Sequence, residues 1–129
     1  EFDWNIKRSL TKINYRIHTD AIQQNLIPAN LQPQQISFIY AKEADVLNMA
    51  LYGKTAKQWR DENLANKGNL RDYSNVTQLV CLANLETLNA VFIADNLPQN
   101  ERLLKLNQVA ISQMKILTAS ASSKTIGND

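Results

Sequence analysis

A chain of 129 residues with 44% hydrophobic content is long enough to bury one core and reads as a single domain. Its net charge of +2, from 14 Lys and Arg against 12 Asp and Glu, supplies no global field that demands nucleic acid. A lone cysteine, Cys81, excludes an intrachain disulfide, and no signal or transit pattern is seen, so a cytoplasmic setting is expected.

Glycine occurs only at 53, 68 and 127, and strand-like alternation is nowhere sustained. Helical periodicity runs through the rest, which predicts an all-α fold: a compact bundle of about five helices around a buried central helix. The domain should span residues 3–117. Residues 118–129, small and polar without periodicity, should be disordered or left over from cloning.

The first helix is expected from Asp3 to about Ile27, stopped by Pro28. Ile6, Leu10, Ile13 and Ile17 follow a 4-3-4 spacing, the seam of a coiled coil or bundle helix, and Asp20 and Gln24 end it. Trp4, Tyr15, Ile22 and Leu26 form a second stripe. Folding one small bundle needs only one stripe, by preference the regular seam. Trp4, Tyr15, Ile22 and Leu26 are therefore expected to cover a partner surface, either a second copy or another protein. Lys7, Arg8, Lys12 and Arg16 make a basic ridge between the stripes. It reads first as a solvated face, and alternatively as a nucleic-acid contact along phosphates.

Pro33 suits the first turn of a second helix, whose broad apolar face includes Ile36, Ile39, Val46, Leu47 and Ala50. Glu43 falls inside that face. A carboxylate there must be paired, and Arg60, Arg71 or a tyrosine hydroxyl is the expected partner. Glu43, Arg60 and Arg71 could alternatively form a small polar pocket for an anionic ligand or an enzyme site. Gly53 should close the second helix in the left-handed conformation. Thr55 to Gln58 reads as a capping box opening a short helix to about Glu62. Asn63 to Asp72 is the one long loop, and Ser74 is the expected N-cap of the next helix.

That next helix, Val76 to Ala94, is apolar nearly all round and should cross the middle of the domain. Its apolar run is interrupted, so no membrane span is expected. Leu82, Leu85, Val91 and Phe92 should have little exposure. A last helix from about Pro98 to Leu117 turns Leu103, Leu106, Ala110, Met114 and Leu117 inward. Neither His18 nor Cys81 has the companions that a metal centre or a nucleophile pair needs, so no catalytic residue, metal or cofactor is expected.

The stretches INYRIHTDAIQQNLIP, ISFIYAKEADVLNMALYGKTAKQWRDEN, KGNLRDY and LANLETLNAVFI resemble the region that follows the DNA-binding module in bacterial and phage KilA-N domain proteins. The similarity runs from Trp4 to Leu117. It implies a phage-related accessory domain that mediates self-association or partner docking. DNA would then be reached through an upstream module whose contacting positions lie outside these residues.

Overall fold

The computed structural model describes the backbone of residues 2–127 and the side chains of Asn5, Ser9 and residues 12–119. The expectations placed on Trp4, Ile6, Lys7, Arg8 and Leu10 fall on side chains outside that set.

Among the described residues five helices follow one another: α1 (Phe2–Asn25), α2 (Pro33–Tyr52), α3 (Ala56–Glu62), α4 (Val76–Ala94) and α5 (Gln99–Gly127), with a 3-10 turn at Leu70–Tyr73 before α4. No strand occurs among the described residues. Local side chains set most of the boundaries. Gly53, at φ +74°, closes α2 by donating its N–H to the Met49 carbonyl. Thr55 and Gln58 exchange hydrogen bonds at the start of α3. At α4 the cap is Asn75 rather than Ser74. Asn75 accepts from the Gln78 N–H at 2.8 Å, and the Gln78 side chain accepts from the Asn75 N–H at 2.9 Å. Ser74 closes the preceding 3-10 turn, where its buried hydroxyl bonds the Leu70 carbonyl and Tyr52.

α4 lies in the centre, with α1 along one side and α2 and α5 along others. Val46, Leu47 and Ala50 of α2 meet Leu79, Leu82 and Leu85 of α4 and Leu106 and Ala110 of α5 in one core. Truncating a fully buried leucine such as Leu85 should cost about 2–5 kcal/mol. By length and composition α4 is apolar enough to cross a membrane, at mean hydropathy 1.4. In this fold α1, α2 and α5 pack on it, and Glu86 and Asn89 are buried on it.

Three expectations are corrected here. Val91 is 51% exposed and Phe92 only half-buried, because one edge of α4 is left uncovered between α1 and α5. The second correction concerns α1, which packs the other way round. Asn14, His18 and Ile22 face α4, while Ile13 and Ile17 of the regular seam are 62% and 43% exposed. The physical reason lies on α4, whose α1-facing side presents polar groups. Asn14 Nδ2 donates to the Ala83 carbonyl and to Thr87 Oγ1, both at 2.8 Å, and His18 meets Asn89. Asn89 among them is fully buried, and a purely apolar seam would take away its His18 partner, at about 1–3 kcal/mol. The third concerns α5, whose backbone stays helical to Gly127, past Leu117. Nothing between Thr118 and Ile126 is a proline or glycine, so no breaker intervenes where the apolar stripe ends.

Candidate functional site

Two carboxylates are buried among the described residues, one on α2 and one on α4. Glu43 is 3% exposed and sits at the centre of a saturated polar cluster. Arg102 of α5 grips it with both terminal nitrogens, Nη2 reaching Oε2 at 3.0 Å and Nη1 reaching Oε1. Gln99 Nε2 adds a bond to Oε2 at 2.8 Å, and Asn89 Nδ2 approaches Oε1 at 3.3 Å. Arg102 spends its remaining donors locally, Nε on the Leu97 carbonyl and Nη1 on Asn89 Oδ1, both at 2.9 Å. Burial alone would raise the Glu43 pKa, but these donors favour the anion more strongly, and the result is a lowered value.

Asn89 carries the network on to α1, its Nδ2 lying 2.8 Å from His18 Nε2. An amide nitrogen can only donate, so Nε2 accepts and the ring is neutral with its proton on Nδ1. Burial first, then the nearby Arg102 and Arg71, push the His18 pKa down to about 4, against the pull of Glu43.

Glu86, 1% exposed, is the second buried carboxylate, and its surroundings differ. Its single partner is Arg71 of the 3-10 turn, whose Nη2 donates to Oε2 at 3.1 Å. Oε1 has no hydrogen-bond partner. Burial pushes its pKa up, and Arg71 offsets only part of that. The Arg71 guanidinium also lies over the Tyr15 ring, 5.7 Å from its centroid. Tyr15, His18, Leu47, Leu82, Arg71 and Glu86 help to line a cavity of about 240 Å³ between α1, α2 and the 3-10 turn.

The expected grouping of Glu43, Arg60 and Arg71 therefore does not form. Glu43 is paired as required, but by Arg102, and Arg71 serves Glu86 instead, while Arg60 is exposed in the last turn of α3. Helical phase carries the signal for Arg102. It lies four residues before Leu106 and eight before Ala110, on the inner stripe of α5, just as Asn89 lies four after Leu85 on α4. A polar residue in phase with an apolar stripe marks a buried partner. The stripe assigned to a partner surface is likewise divided. Ile22 is buried in the bundle, Leu26 is half-buried, and Tyr15 is exposed beneath Arg71. Of the basic ridge, Lys12 and Arg16 are exposed. Cys81 is buried, which pushes its thiol up to about 11 and makes it a poor nucleophile. No group of three or more metal-ligating side chains occurs among the described residues.

An apolar edge replaces the divided stripe. On the helical wheel of α1, Ile13 and Ile17 lie on the flank opposite Tyr15. The Asn14–Thr87 bond places that flank beside the uncovered edge of α4 at Thr87 and Val91. Across that edge, Asn84 bonds Gln113 of α5 at 2.9 Å, and Ile116, three residues on, is 64% exposed. Ile13 and Ile17 of α1, Val91 of α4 and Ile116 of α5 are all exposed to solvent. Comparison with protein families, with curated proteins and with solved structures found no match for this chain.

Proposed function

We propose that this chain is an assembly domain, accessory to a DNA-binding protein of the KilA-N type, and that it pairs with a second copy of itself. The observation that carries this reading is the outward turn of Ile13 and Ile17, at coiled-coil spacing. A helix normally turns its regular apolar seam inward, and one that turns it to water has a use for it there. Ile6 and Leu10 continue the same heptad spacing towards the N-terminal end of α1. Two copies joined along this seam would hold two upstream modules at a fixed spacing on DNA.

Light scattering on the purified chain tests it. A mass of twice 14.6 kDa that persists in high salt, and falls to the monomer in Ile13→Glu with Ile17→Glu, is the expected result. Both positions are exposed, so that double variant should keep its monomer fold to within about 0.5 kcal/mol per site. A wild-type monomer at high concentration overturns the proposal. If that monomer instead binds duplex DNA with a steep salt dependence, lost in Lys12→Ala with Arg16→Ala, the exposed basic residues of α1 carry the function.

A further inference from the structure

The cavity beside Glu86 combines three features that do not occur together elsewhere in the described bundle. It has a volume of about 240 Å³, a wall of Leu47, Leu82 and Tyr15, and a carboxylate with one oxygen unclaimed. A buried carboxylate oxygen without a donor costs about 1–3 kcal/mol, more when it is charged. Glu43 shows the alternative within the same molecule, since three different side chains donate to its two oxygens. At Glu86 the acceptor capacity remains open while the cavity supplies room.

We propose that this cavity binds a small organic cation, a primary ammonium on a compact apolar body, with the ammonium donating to Glu86 Oε1. The sign of the ligand follows from which group is unsatisfied. Arg71 already has a carboxylate and an aromatic face, so a second anion would have to compete with Glu86 for it. The unclaimed atom is an acceptor, and it calls for an N–H donor. His18 repels no cation, because its ring is neutral with Nε2 held by Asn89. The apolar part of the ligand would lie against Leu47 and Leu82. Below about 300 Å³ the space suits a ligand smaller than drug size. The lining is open to solvent at Tyr15, Ala44 and Asn69, with Arg71 part-exposed beside Tyr15. The terminal torsion of a glutamate is soft, so a turn of the carboxylate would present Oε1 to the cavity, with the part-exposed Arg71 following Oε2.

Titration of the isotope-labelled chain with benzylamine, followed by NMR at the Leu47 and Leu82 methyls and the His18 ring, tests this. Benzylamine should give saturable shifts at those three residues, and the equally sized anion benzoate should give none. Glu86→Gln should weaken benzylamine binding by about tenfold or more, the worth of one charged hydrogen bond. Ala44→Phe provides an independent control, because Ala44 is an exposed helical position on the cavity wall and its replacement fills the space without touching the carboxylate. Binding should be lost in that variant even if Glu86→Gln does not fold. Benzoate shifts equal to those of benzylamine, unsaturable shifts, or binding retained in Ala44→Phe would each overturn the proposal.

Discussion

Glu43 and Glu86 are buried almost equally, yet their pKa values move in opposite directions. Burial pushes both up. Glu43 receives a two-pronged arginine, a glutamine and an asparagine, and the sum of those bonds outweighs desolvation. Glu86 receives one bond from an arginine that is itself partly in water, and desolvation wins. The lesson is that the number of donors around a buried charge, rather than the depth of burial, decides whether it behaves as a structural anchor or as an unsatisfied site.

Removing an arginine from each pair gives the widest expected gap. Arg102→Met leaves Glu43 buried and uncompensated, and should cost about 3–5 kcal/mol in urea unfolding. Adding Glu43→Leu to Arg102→Met should recover a large part of that loss, since no charge then remains to be desolvated. The comparison breaks if the double variant is as unstable as the single one. Arg71→Met should cost less than Arg102→Met, because its carboxylate can take up a proton and its own side chain is already partly solvated.

A pH titration sharpens the same contrast through His18. Its folded pKa of about 4 lies below the ordinary 6.5, so the unfolded chain binds the proton more readily. The contribution is fully present above about pH 6.5 and is lost as pH falls towards 4, amounting to about 3 kcal/mol at the acid end. Glu86, with its raised pKa, acts in the opposite sense as pH falls towards 4.5, and Glu43 adds its own loss only below that. His18→Gln keeps an acceptor for Asn89 and cannot take up the proton. The stability of His18→Gln relative to wild type should therefore rise on acidification from about pH 6.5 to 4. A difference that does not change with pH would mean that His18 takes up its proton as readily in the folded chain as in the unfolded one.

The smallest expected effect is at Glu86 itself. Glu86→Gln removes a charge that is poorly compensated, so its stability should lie within about 1 kcal/mol of wild type, or above it. Glu43→Gln removes an anion held by several donors and should be clearly destabilising. Equal effects in the two variants would show that the free oxygen of Glu86 has no energetic consequence.

Several local signals were legible in the sequence because their physics is local, although the α4 cap fell on Asn75 rather than Ser74 and α5 ran past Leu117. The apolar run from Val76 to Ala94 became α4 with those same ends, Gly53 closed α2, and Thr55 opened α3. The all-α fold followed from periodicity and the scarcity of glycine. Composition also required that Glu43 find a partner, since a lone buried charge is too costly to leave.

Which partner it found was decided only by the tertiary structure. Arg102 lies 59 residues from Glu43, and although its phase on α5 marks it as inward, the acid that it meets is defined only when α5 is laid against α2. The orientation of α1 has the same origin. Spacing alone favours burying Ile13 and Ile17, but the polar groups of α4 need donors and acceptors, and only the face bearing Asn14 and His18 supplies them. Periodicity measures how apolar a face is. Which face turns inward is a matter of complementarity with whatever it meets, and that becomes defined only when the helices pack.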